Sequence, residues 1–257
     1  SFFFTSQSST SYLKHDSENN VSLIDKLTLY YYYTNNPYPI MQFYVESIFP
    51  TVIGRTVIDE VDLSVLNRVK KYEYRQLDND FNSNASISVR LNILDDFPDI
   101  KKYILSIFND YIKNVYKYEN EFVMTTSWST RVKPNITTTS HNHKNSMFSG
   151  VLYLESKNIS PILFESNPIP SSFSIEPSEF NDFNCESWIV KPSPWEIIFF
   201  PSHIKHNICK NESDEDRFSI AMNFLPIGVY GKNDSTVNIS FNQEYKLQQF
   251  QNRQRRH

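Results

Sequence analysis

Glycine and cysteine are both scarce in this chain, and neither sign of charge dominates. Only four of its 257 residues are glycine, and neither G-x-x-x-x-G-K nor G-x-G-x-x-G occurs. Those loops bring backbone N–H groups close to a phosphate, so glycine-rich nucleotide sites of that kind are excluded. The two cysteines, Cys185 and Cys209, are too few for a disulfide framework and suit free thiols in a reducing cytoplasm. Twenty-five basic and 29 acidic residues give a net charge of −4, which offers no field for nucleic acid. The basic QNRQRRH at the end reads as a solvated tail. No apolar run approaches the roughly 18–20 residues of a membrane helix, and SFFF at the start is too short to resemble a signal peptide. The expected setting is cytoplasmic, with no nucleic-acid or membrane partner.

Aromatic residues are plentiful at 15%, including 20 Phe and 16 Tyr. Residues 1–42 are polar apart from LTLYYYY and read as a partly mobile N-terminal extension. Residues 43–230 read as one domain, and 231–257 as a C-terminal tail. Within the domain, Phe43–Ile58 is expected to form a strand pair, and VDLSVLNRVKKYEY a short helix. PDIKKYILSIFNDYIKNVYKY carries apolar residues at i, i+3, i+4 and i+7, the stripe of a helix packed on a sheet, with Pro98 near its start. After Tyr118 come eight short strand-like runs: FVMTTSWS, SGVLYLE, PILFES, FSIEP, SWIVKP, WEIIFFP, HNICK and RFSIAMNF. One long helix followed by many short strands predicts a mainly β, α+β fold: a double-sheet structure with helical support on one side.

Four of the six histidines lie between positions 141 and 206. His141 and His143 are spaced H-x-H, and residues i and i+2 of an extended chain share a face. They can therefore aim two ring nitrogens at one ion, and neutral imidazole is a common ligand of iron, copper and zinc. His203 and His206 follow WEIIFFP, three apart, so only one need point inward. Arg217 and Ser219 share a face of RFSIAMNF. An arginine in an apolar strand needs an anionic partner. That partner is either an acid of the preceding NESDED loop or a carboxylate-bearing cosubstrate.

These blocks together resemble the iron(II)/2-oxoglutarate oxygenase superfamily. More narrowly, they resemble a 2-oxoglutarate oxygenase family common in marine bacteria and their phages. FPTVIG, TTSWSTRVKPNITTTSHNHKNSMFSGVLYLE, WEIIFFPSHIKHNI and RFSIAMNF carry the likeness, which spans about residues 44–225. It implies a double-stranded β-helix, the cupin-like jelly roll, with Fe(II), 2-oxoglutarate and O2 as its chemical partners. Carried over by position, His141 and His206 are metal ligands. His143 stands where most of the superfamily has a carboxylate, and is either the third ligand or a residue behind it. Arg217, Ser219 and Tyr153 would hold the far carboxylate of 2-oxoglutarate. No catalytic residue beyond the metal ligands is implied.

His203 is read as a rim residue. Trp128, Phe148, Phe164 and Trp188 are candidate pocket walls, and the loop from Ser166 to Ser187 is a lid or a surface connection. The expected activity is hydroxylation of a peptide side chain or a small molecule, and a homodimer is allowed. Two alternatives share the fold. One is a cupin-like three-histidine metal dioxygenase that does not use 2-oxoglutarate. The other is a non-catalytic jelly-roll binding module.

Overall fold

The computed structural model describes residues 49–58, 64–76, 85–154, 159–166, 176–181 and 183–241. The N-terminal extension 1–42, the first part of the expected strand pair at 43–58, residues 77–84, most of FSIEP and the tail beyond 241 lie outside them. The chain divides into units 1–51 and 52–257, and all the elements named below belong to the second.

Seven of the eight runs expected after Tyr118 become strands in the predicted order, behind one strand from the expected pair and two, at 74–76 and 86–88, that were not expected as strands. In chain order these strands are β1 (Gly54–Val57), β2 (Tyr74–Gln76), β3 (Ser86–Ser88), β4 (Phe122–Val132), β5 (Phe148–Tyr153), β6 (Ile162–Glu165), β7 (Ser187–Val190), β8 (Glu196–Pro201), β9 (Lys205–Ile208) and β10 (Arg217–Pro226). Seven of them form one antiparallel sheet in the order β1-β8-β5-β10-β4-β3-β2. β7, β6 and β9 form a second sheet. A bridge between His141 and His206 lays the segment before His143 alongside β9. The two sheets make the double-stranded β-helix.

Side-chain alternation explains why both faces of the large sheet are buried. On one face Phe148, Leu152, Ile197, Phe199, Phe218, Ile220, Met222 and Phe224 meet two helices, α1 (Ser64–Val69) and α2 (Pro98–Tyr111). Phe108 of α2 is the centre of that core. It stacks on Phe224 with ring centroids 3.8 Å apart and meets Phe122, Phe148 and Phe199 edge-on. On the other face Val151, Tyr153, Ile198, Phe200 and Ala221 pack between the sheets with Ile162, Phe164 and Val190 of the small sheet. Every side chain of β5 is buried as a result.

Several expectations change. Among the described residues of the expected strand pair, only β1 is a strand, and it pairs with β8. The helix after residue 60 is shorter than the pattern implied, because KYEY leaves it and Tyr74 opens β2. The long helix is regular to Tyr111, widens into a single turn over Ile112–Tyr116, and stops at Lys117, which is left-handed at φ 58°. The residues after 230 begin with structure: β11 (Gly228–Tyr230) and β12 (Val237–Ile239) form a hairpin. No helix among the described residues is long and apolar enough to cross a membrane.

Candidate metal centre

Three of the four clustered histidines converge at one mouth of the barrel. His206 lies in β9 and is buried, at 4% exposure. His141 faces it across the bridge, and their backbones exchange N–H···O bonds of 3.0 and 2.9 Å. His143 lies one step further on, where its N–H donates to the Ser202 carbonyl at 3.0 Å. Ring centroids are 4.5 Å apart for His141–His206, 5.1 Å for His143–His206 and 5.5 Å for His141–His143. One nitrogen from each lies within 4.8 Å of the others.

Their hydrogen bonds decide which nitrogen each can offer. Nδ1 of His141 meets the Thr139 carbonyl at 2.9 Å, and Nδ1 of His206 meets the Ile204 carbonyl at 3.0 Å. A carbonyl only accepts, so both Nδ1 atoms carry the proton and both Nε2 lone pairs are free. Nδ1 of His143 lies 2.7 Å from Asn223 Oδ1 and 2.8 Å from Ser149 Oγ. Ring nitrogens tied to backbone or amide acceptors are the arrangement that orients metal-ligating histidines. Burial pushes the imidazolium of His143 down to about 4 and that of His206 down to about 3. Both are neutral at neutral pH, as a ligand must be. The donor set therefore fits a divalent transition ion.

Burial falls from His206 through His143 to His141, which is exposed, so the centre opens to solvent on the His141 side. His203 also stays exposed. Its backbone carbonyl accepts from Asn142, and its ring is not part of the cluster.

Deeper in the barrel, β10 turns Arg217, Ser219, Ala221 and Asn223 to the inner face, and β5 sets Tyr153 opposite Ser219. Arg217 is 1% exposed. Its Nη1 donates to Ser219 Oγ at 3.2 Å, and its Cζ lies 5.1 Å from the Tyr153 ring centroid. In the NESDED loop, Asp216 pairs with Arg131. The buried Tyr153 hydroxyl has no hydrogen-bond partner among the described residues. Burial pushes its ionisation up to about 12 against the pull of Arg217, so it remains a donor. An unmatched buried donor costs about 1–3 kcal/mol, and a carboxylate beside Arg217 would satisfy it. The donor chemistry of Arg217 and Tyr153 thus suits one end of a dicarboxylate.

The pocket-wall expectations divide. Trp128 lies 5.3 Å from the His143 ring and Phe164 6.1 Å from the His206 ring. Phe148 is corrected: it points to the helix side and packs against Phe108 and Tyr116. Trp188, on β7, is half exposed and not a closed wall. Phe200, which the sequence reading passed over, is nearer, at 4.7 Å from His206. Asn223, Ser149, Ser202 and Ser146 were likewise missed as site residues. All four lie inside the motif blocks, which was the available signal.

Residues 126–223 match the model of a family described as "Putative 2OG-Fe(II) oxygenase". No curated protein matches the chain. Among solved structures it is similar to the epimerase SnoN in complex with Fe3+, alpha-ketoglutarate and nogalamycin RO. That match has a TM-score of 0.50 and 7% identity, over 76% of this chain and 84% of that one. It also matches a Pseudomonas putida prolyl-4-hydroxylase at TM-score 0.48 and 12% identity, over 68% and 92%. A 2OG-Fe(II) oxygenase-family oxidoreductase from Burkholderia pseudomallei matches at TM-score 0.46 and 8% identity, over 63% and 76%. The likeness to SnoN is one of fold, and the family match carries the class. Over residues 126–223 this chain is thus similar to the iron(II)/2-oxoglutarate oxygenases, a class of oxidoreductases that uses Fe(II) and 2-oxoglutarate.

Proposed function

We propose that the protein hydroxylates an unactivated C–H bond of a peptide side chain or small molecule, releasing succinate and CO2. The observation that carries this reading is the pairing of two features on one barrel interior. Three imidazoles have Nδ1 committed and Nε2 free, and behind them lies a buried Arg217–Tyr153 pair with an unmatched hydroxyl. His141, His143 and His206 would hold Fe(II). Arg217 and Tyr153 would donate to the far carboxylate of 2-oxoglutarate, with Ser219 fixing the guanidinium. Bound together, iron and 2-oxoglutarate supply the oxygen activation, which is their chemistry and not the protein's.

The chain's own part is position and charge. Three neutral ligands leave the ion's double charge uncompensated, so an anionic cosubstrate is favoured at the open positions. Arg217 fixes the distal end and so restricts how the other end can approach the metal. Phe200, Phe164 and Trp128 keep the inner side apolar, while the exposed His141 side admits substrate. Free Cys185 and Cys209 suit a reducing, cytoplasmic setting.

The carboxylate-free donor set also favours a second reading, a cupin-like dioxygenase in which Arg217 grips the substrate's own carboxylate. Anaerobic titration of the apoprotein with Fe(II) and then 2-oxoglutarate separates the two. A visible charge-transfer band that needs both, and is lost in Arg217→Ala, is the expected result. Iron binding without the band selects the cupin-like reading, and no iron binding rejects both.

A further inference from the structure

Four polar residues of the motif blocks hold neither the metal nor the cosubstrate in the reading above, yet they meet behind His143. Ser149 Oγ lies 2.7 Å from Ser202 Oγ, Ser202 Oγ donates to Ser146 Oγ at 2.9 Å, and Ser146 Oγ donates to the Phe148 carbonyl at 2.7 Å. The carbonyl at the end of this chain can only accept, and that sets the direction of every bond before it. Ser146 gives its proton to the carbonyl and accepts from Ser202. Ser202 is then spent as a donor and accepts from Ser149. Ser149, spent on Ser202 or on Asn223 Oδ1 at 2.9 Å, can only accept from His143. The other neighbour of Nδ1 is Asn223 Oδ1, also an acceptor, and on the far side Asn223 Nδ2 donates to Thr126 Oγ1 at 3.3 Å. Both neighbours of His143 Nδ1 therefore demand a proton from it.

The fold brings this about through register. Asn223 on β10 pairs with Ser149 on β5 and with Thr126 on β4, and Ser149 pairs with Phe200 on β8, two residues before Ser202. The β4–β10 register shifts between Asn223 and Phe224, immediately beyond the side chain that meets His143. Bulges of this kind re-aim side chains beside functional sites.

We infer that Asn223 and Ser149, backed by Ser202 and Ser146, are positioning residues that hold His143 as its Nδ1–H tautomer and aim its Nε2 at the metal, making it the third ligand. The inference rests on the metal-centre reading for the ion, and on the hydrogen-bond network alone for the tautomer. It gives a physical account of a histidine standing where a carboxylate is usual. A carboxylate there would face two acceptors, whereas an imidazole N–H satisfies both.

The test uses the full chain and two readouts. A two-bond 1H–15N spectrum of the metal-free, 15N-labelled protein reads the tautomer of His143 directly. Protonated Nδ1 with bare Nε2 is expected, and the reverse tautomer in the wild type overturns the inference. Co(II) affinity is then compared for wild type, Asn223→Asp and Asn223→Ala. Asp keeps the acceptor for His143 but loses the donor to Thr126, so a purely structural role would make it as harmful as Ala. Asp is expected within about threefold of wild type, and Ala about 10–100-fold weaker with mixed tautomers. Ala binding as tightly as wild type, or Asp falling as far as Ala, overturns the inference while leaving the metal centre intact. Should Asn223→Ala fail to fold, Ser149→Ala with the wild-type spectrum decides the matter. A wild type that binds neither Co(II) nor Fe(II) removes the metal-centre reading and the ligand role together, and the tautomer spectrum distinguishes that case from failure of the network.

Discussion

Tyr153 is 1% exposed, and its hydroxyl meets no acceptor among the described residues. A side chain kept only for packing would do better as phenylalanine. Tyr153→Phe should therefore leave the metal-free protein as stable or up to about 1–3 kcal/mol more stable, because an unmatched buried donor is removed. The same change should weaken 2-oxoglutarate binding by about 10–150-fold, the worth of one hydrogen bond to a charged group. Opposite signs in denaturation and in cosubstrate titration mark the hydroxyl as a binding group; loss of stability together with unchanged binding would count against the pocket. At this scale the sequence was legible where a residue type was out of place. An H-x-H pair and an arginine in an apolar strand each stand out. Asn223 and the three serines do not, because a polar residue in a strand is ordinary until its cross-strand partner is known.

β5 shows what an element contributes that single residues cannot. It is buried on both faces, and Gly150 makes room where a Cβ would lie 2.9 Å from Phe199 and 3.3 Å from Met222. Gly150→Ala should cost about 1–3 kcal/mol through overpacking. It should also lower metal affinity, since Ser149 is the adjoining residue and meets His143. Chemical denaturation and Co(II) titration read the two effects, and a variant as stable as wild type would show that β5 can shift freely. The strands themselves were legible from their apolar runs, as was the stripe of α2. What the runs did not show was phase. Phe148 and Ser149 lie on opposite faces of β5, and only the pairing to β8 and β10 says which face looks into the barrel. A strand with apolar residues on both sides carries no mark of its inner face, and Phe148 was accordingly expected on the wrong one.

For the molecule as a whole, the buried histidines link stability to pH. Histidine in an unfolded chain titrates near 6.5, whereas burial lowers His143 to about 4 and His206 to about 3. The unfolded chain therefore takes up protons first as pH falls. The stability held by these residues is fully present above about pH 6.5 and is lost progressively toward pH 4 and 3. Each contributes up to about 1.4 kcal/mol per pH unit across that window. Denaturation of the metal-free protein should show a slope that steepens below pH 6.5 and approaches two protons near pH 5, falling toward one proton in His206→Ala. A flat profile would mean that neither ring is as dry as the structure makes it.

His141 and His206 are also backbone partners, each donating its N–H to the other's carbonyl. Distant parts of the chain are thus fastened together at the ligands by the sheet, so an ion placed there closes no loop that folding has left open. In a small zinc domain the metal's binding energy is folding energy, and losing the ion unfolds the chain. Here the fastening comes from the sheet alone, so an ion held by these histidines would be a replaceable part. Such a centre would empty and refill on a standing scaffold, and metal-free protein should keep the stability of the loaded form less only the binding energy of the ion.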